Sequence, residues 1–333
     1  MPWQPGSATG IGSVPWTDPV EAIRVVFGEL SELPHLPELP GRGPGADMVG
    51  RTAALLVDLA VELTSTGWAV TARPGRDVRR ARTLLSADLD ALEEVAGDHR
   101  GTLKIQVAGP WTLAAALELR NGEKALSDPG ALRDLAGSLA EGLIEHATEV
   151  RKRVPAADLV VQLDEPSLPA VLAGSVRTVS GFRALAAVEP SDAVISLGSV
   201  RAAVPADVPV IVHCCAPNVP VDVIRRAGAD GVAFDVRLLD TVPEEALGSA
   251  VEAGLAVFAG IVPSVDTDLS ALTDTVDPVR HWWRRLGFAP ERLAAQVVAT
   301  PACGLAGASP AYARRAMTRC REAARVLYEA PEG

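Results

Sequence analysis

Cysteine is scarce in this chain, with only Cys214, Cys215, Cys303 and Cys320 among 333 residues. Four so unevenly spread cannot form a disulfide framework, and no basic N-terminal stretch leads into a long apolar segment. The expected setting is a reducing cytoplasm. Positive charge is also in short supply: 31 Lys and Arg against 42 Asp and Glu leave a formal net charge of -11. Nucleic acid and anionic membrane surfaces are repelled at long range by such a balance. The apolar runs are broken by charge or proline well short of the ~20 residues a membrane helix requires. What remains is an enzyme-sized chain, 48% hydrophobic, with ample material for a core and with small molecules or proteins as partners.

Six nearly continuous apolar runs stand out: Leu103–Val107, Leu159–Leu163, Pro209–Val212, Gly231–Phe234, Leu255–Ile261 and Ala294–Ala299. Strands buried on both faces read this way. Amphipathic segments lie between them, including Pro129–Arg153, Pro220–Ala227 and Pro243–Ala253. Repeated strand–helix units predict a parallel sheet. Two weaker strands near Thr9–Ser13 and Leu36–Leu39 bring the number to that of a (β/α)₈ TIM barrel, the expected fold. Asp192–Gly198 predicts a helix, because Ser191-Asp192 suits an N-terminal cap and the following apolar residues do not alternate. The chain 1–333 reads as a single domain, with the glycine-rich stretch 41–47 as a mobile rim loop. That stretch does not make a dinucleotide-binding turn, since Pro44 interrupts it.

In such a barrel the chemistry sits at the C-terminal ends of the strands. His213 and Cys215 follow one run, Asp235 ends the next, Cys303 follows the last, and Asp164-Glu165 ends an earlier one. Imidazole, thiolate and carboxylate are zinc ligands, and a catalytic zinc keeps an exchangeable position beside its protein ligands. Residues i and i+2 of an extended chain point the same way, so His213 and Cys215 can reach one ion while Cys214 points elsewhere. Cys320, in a helical C-terminal segment, reads as a small buried hydrophobe. His35, His99, His146 and His281 read as surface residues.

These motifs together resemble the catalytic domain of the cobalamin-independent methionine synthase family, within the uroporphyrinogen decarboxylase/methionine synthase-like barrel superfamily. His213-Cys214-Cys215 is similar to its His-x-Cys pair, and Cys303-Gly304-Leu305 to its last-strand motif. Gln162-Leu163-Asp164-Glu165-Pro166 and Ile11-Gly12-Ser13 match two more, in the family's order. The resemblance implies a zinc-dependent methyltransferase that activates the thiol of homocysteine, giving methionine. His213, Cys215 and Cys303 become zinc ligands, and Asp235 takes the place of a glutamate ligand. Asp164 would hold the substrate's ammonium group, while Gly12 and Ser13 would hold its carboxylate. Trp111 would line the pocket, and Glu165 would act beside Asp164 in catalysis, orient a zinc ligand or brace its loop.

Some positions depart from the family. Arg42 aligns with a second carboxylate for the amino group, which reverses the charge. No histidine follows the seventh strand, where the chain reads Gly260-Ile261-Val262-Pro263-Ser264, and the extra N-terminal half of the folate-dependent enzymes is not among the expected parts. The methyl donor is therefore either methyl-tetrahydrofolate or methylcobalamin carried on a partner protein. Two alternatives stay open. Gly109-Pro110-Trp111-Thr112 also resembles a motif of uroporphyrinogen decarboxylase, a metal-free decarboxylase, and the barrel could be a non-catalytic module that binds zinc or a corrinoid partner.

Overall fold

The computed structural model describes residues 3–332. After a short antiparallel hairpin of β1 (Ala60–Leu63) and β2 (Trp68–Thr71), six strands form one parallel sheet in sequential order. They are β3 (Thr102–Ala108), β4 (Asp158–Asp164), β5 (Val210–His213), β6 (Gly231–Asp235), β7 (Ala256–Val262) and β8 (Val297–Pro301). All are buried except at Asp158 and Ile261, which explains why most read as nearly continuous apolar runs, with Lys104, Gln106 and Gln162 as buried polar exceptions. The hairpin has no counterpart among the expected elements. Its strands are only half-buried and carry Glu62 and Thr71, so hydropathy alone does not mark them.

The segments expected as the two weaker strands behave differently. They are extended but join the sheet through single bridges: Ala8 with Ala299 of β8, Ser13 with Glu38, and His35 with Lys104 of β3. Backbone hydrogen bonds follow the same route, from Thr9 to Ala299, from Glu38 to Gly12 and from Leu36 to Lys104. Among the described residues the regular parallel sheet therefore has six strands, short of the eight of a full barrel. Pro34, Pro37 and Pro40 explain the irregularity of the second segment, because proline offers no N–H to a ladder.

Side chains that face the sheet's concave side fill its base: Trp3, Ile11, Leu33, Val160, Ile211, Ala233, Ala256, Phe258 and Val298. The convex side packs against helices through a larger cluster that includes Leu139, Leu143, Leu197, Val232 and Trp283. The expected helices are found at Pro129–Arg153, Val221–Arg226 and Glu244–Glu252, and Pro190–Ala203 confirms the helical reading of 192–198. Ala294–Gln296 closes a short helix instead of opening β8. No helix among the described residues is long and apolar enough to cross a membrane.

His35 and His146 correct the surface reading, being 1% and 3% exposed. His35 fills the space left by the absent side chain of Gly10, and burial pushes the His146 imidazole down to about 3. Cys320 is fully buried in a helix, as expected.

Candidate metal centre and substrate cavity

Parallel register decides which side chains meet. Asp164 at the end of β4 pairs with His213 at the end of β5, which pairs with Ala233 of β6. Paired residues of a parallel sheet project to the same face, so Asp164 and His213 emerge side by side above the apolar base. Cys215, two residues beyond His213, and Cys303, two beyond the end of β8, close over the same spot from different strands.

The ligating atoms of His213, Cys215 and Cys303 all lie within 4.8 Å of one another. The two Sγ atoms are 3.2 Å apart. The proton economy of the group is strained in a telling way. Cys215 is pushed up by its hydrogen bond to Cys303, and Cys303 is pulled down by the same bond, so the pair holds one proton in preference to two. Burial alone would lower the His213 imidazole, yet the Asp164 hydrogen bond and the nearby Cys303 raise it to about 9. Cys214, fully buried, packs against the helix-side core and is pushed up to about 12 by burial. It takes no part in the group, as the alternation along the chain predicts.

His213 Nδ1 lies 2.7 Å from Asp164 Oδ1, and its Nε2 is buried without a hydrogen-bond partner. An orphaned imidazole nitrogen beside two thiols, with the other nitrogen held by a carboxylate, is a donor set that could hold a metal ion. Carboxylate–imidazole pairs of this kind fix the tautomer and direct the free nitrogen at the ion. These residues fit a soft divalent cation such as zinc.

Asp235 is not part of the group. Its carboxylate is taken by Arg237, through Nη2 at 2.6 Å, Nε at 3.0 Å and the backbone N–H at 2.9 Å. The expected fourth protein ligand is thus replaced by a cap on the turn Val236–Thr241.

A cavity of about 280 Å³ opens beside the donors, lined by Ile11, Gly12, Ser13, Glu38, Asp164, His213, Cys215 and Cys303 among others. Larger hollows of about 450, 350 and 310 Å³ touch none of these donors. Gly304 shapes the cavity wall, since a Cβ there would come within 2.0 Å of Ser13 Oγ. Glu38 went unrecognised in the sequence. It is 4% exposed, with Oε1 buried and unpartnered, and burial together with Asp164 raises it well above the usual carboxylate range despite the opposing Arg51. The signal that could have revealed it is a lone carboxylate in the apolar, proline-rich run before Gly41.

Beneath the cavity, Lys104 reaches the Ile11 carbonyl at 2.8 Å, and Gln162 donates to that carbonyl and to Asp164 Oδ1. Burial lowers the Lys104 ammonium to about 7, with Asp164 and Glu38 opposing the shift. This network stiffens the 11–13 segment and balances the two carboxylates.

Arg42 does not reverse the charge of the cavity. It turns away to Asp88 at 2.8 Å, sharing that buried carboxylate with Arg51 at 2.6 Å. The stretch 41–47 is further held by Arg80 on the Arg42 carbonyl and by Asp47, which caps the helix Met48–Ala53. Trp111 is fully buried, with its indole N–H on the Ala193 carbonyl, and it is not among the residues that line this cavity. Glu165 accepts from Trp111 N, Thr112 N and Thr112 Oγ1 at 2.7–2.9 Å, which braces the helix Pro110–Ala116. Burial raises its carboxyl to about 7.

The family model described as "Cobalamin-independent synthase, Catalytic domain" matches residues 7–326. The chain belongs to this family. Among solved structures it is similar to a B12-independent methionine synthase from Shewanella sp. W3-18-1 in complex with selenomethionine, with a TM-score of 0.64, 12% identity and 98% of each chain covered. A putative vitamin-B12 independent methionine synthase from Listeria monocytogenes follows, with a TM-score of 0.58, 14% identity and 98% of each chain covered. At such identities the likeness speaks for the fold. No curated protein matches.

Proposed function

We propose that this protein is a zinc-dependent methyltransferase acting on a thiol, with homocysteine as acceptor and methionine as product. The observation that carries the reading is the His213, Cys215 and Cys303 donor set opening onto a cavity with two buried carboxylates. Family membership supports the same reaction class. The segments 7–13 and 33–39 would be the first two staves of a (β/α)₈ barrel, which puts the site at the strand ends where that fold does its chemistry.

His213 through Nε2, Cys215 and Cys303 would hold the ion. Zinc bound there supplies the Lewis acidity that lets a thiol lose its proton at neutral pH. The chain's own residues do the rest. Asp164 keeps the His213 proton on Nδ1, and with Glu38 offers negative charge to the ammonium group of an amino-acid substrate. Gly12 and Ser13, on the segment stiffened by Lys104 and Gln162, form the side that would receive the substrate carboxylate. The apolar base excludes water from beneath the reacting sulfur, where electrostatic contacts are stronger than in solvent.

The two carboxylates and the thiol pair speak against the polycarboxylate decarboxylase reading, whose substrate would be repelled here. The test is methyl transfer to homocysteine by zinc-loaded protein, with methyl-tetrahydrofolate and methylcobalamin offered separately. Methionine formed from one donor and lost in Cys215→Ser supports the assignment. Turnover with neither donor, or full zinc and turnover in Cys215→Ser, overturns it.

A further inference from the structure

Asp235 occupies the point where this site departs most from a closed four-ligand metal centre. It stands two residues beyond Ala233, the β6 neighbour of His213, and therefore on the same face of the sheet. Beside it on β7 is Gly260, so no side chain from that strand fills the space. The position lies at the end of the strand beside that of His213, and its carboxylate is turned to Arg237. That orientation is held by both nitrogens of the Arg237 fork and by the Arg237 backbone N–H.

We propose that Arg237 is a positioning residue that keeps Asp235 off the metal, leaving three protein ligands and a fourth coordination position for the substrate thiol. This rests on the metal-dependent reading above. Three protein ligands with one exchangeable position is the pattern of catalytic zinc, whereas four protein ligands make a structural site. An aspartate is one methylene shorter than a glutamate, so it has less freedom to turn toward the ion while both of its oxygens stay on Arg237. To ligate the metal it must release two charge-assisted bonds and the cap of the following turn, all of which are geometrically satisfied where it stands. Arginine suits the task because its planar fork grips both carboxylate oxygens, which a lysine ammonium does not. The Asp235 side chain is 11% exposed while that of Arg237 is 66% exposed, so the latch sits at the rim, between site and solvent.

Cobalt(II) substitution without substrate reads the coordination directly, and chelator competition gives the zinc affinity. Asp235→Asn retains the capping oxygen and removes the anionic donor. The expected result is an unchanged cobalt spectrum and a zinc affinity within about threefold of the parent. Arg237→Met releases the carboxylate, so the ligand-field bands should move and zinc affinity should rise by about tenfold. Homocysteine added to the cobalt protein should then perturb the spectrum less than in the parent. A changed spectrum or an affinity loss of about tenfold in Asp235→Asn overturns the proposal, as does an Arg237→Met spectrum identical to the parent's. Absence of thiolate-to-cobalt charge transfer in the parent overturns the metal reading itself. Failure of methyl transfer with these spectra intact removes only the proposed reaction.

Discussion

The Nδ1 atom of His213 lies 2.7 Å from Oδ1 of Asp164, which leaves Nε2 as the buried, unpartnered nitrogen of the ring that groups with the two cysteines. Asp164→Asn offers a weaker, neutral acceptor and can stabilise the wrong tautomer. Metal affinity should fall by about 10–100-fold, the usual effect of losing such a supporting carboxylate. Chelator competition measures it, and an affinity equal to the parent's would mean that the contact does not direct the ring.

Glu38 lines the cavity beside Asp164, whereas Arg42 is turned to Asp88. Glu38→Gln should raise KM for homocysteine by roughly 10–100-fold with a smaller change in kcat, as expected for one charge-assisted bond to an ammonium group. Arg42→Ala should leave KM unaltered and lower thermal stability, because Asp88 loses one of its two arginine partners. Steady-state kinetics of both variants would expose an interchange of these roles.

The Glu165 carboxyl sits at about 7 in the fold against 4.5 when free. Between those values the folded chain holds a proton that the unfolded chain has released, so stability falls as pH rises through this window. Below about pH 4.5 the contribution is complete, and above about pH 7 it is lost. Glu165→Gln should flatten the dependence of the melting temperature on pH between about 5 and 7, a window taken from the same linkage. Parallel pH profiles for parent and variant would contradict this account.

Gly142 lets the helix Pro129–Arg153 approach the 54–58 segment, since a Cβ there would stand 2.0 Å from the Leu55 carbonyl oxygen. That obstacle is backbone and cannot rotate aside. Gly142→Ala should cost about 1–3 kcal/mol, typical of overpacking, as read by denaturant unfolding. A loss below about 0.5 kcal/mol, the range of neutral surface changes, would show that the helix can shift freely.

The sequence made the six buried strands legible because each is an apolar run bounded by turn residues, and the helix Pro129–Arg153 because proline opens it and basic residues end it. It left the β1–β2 hairpin unread, since half-buried strands with charged residues carry no strong period. Among candidate site residues, the i, i+2 spacing of His213 and Cys215 and the strand-end position of Cys303 suffice to bring them together. Trp111 was misread because its place after Gly109-Pro110 says that it lies near a strand end, not which way the indole turns.

By itself, then, the sequence determined the order of strands and helices and which residues stand at strand ends, because hydropathy and spacing are local properties. The tertiary structure decided partners. It gave Arg42 to Asp88, Asp235 to Arg237 and Glu165 to the helix at Trp111, and it brought Glu38 into the cavity. A long or charged side chain reaches several neighbours from the same backbone position. Which one it takes depends on the burial and charge that only the folded chain assembles around it.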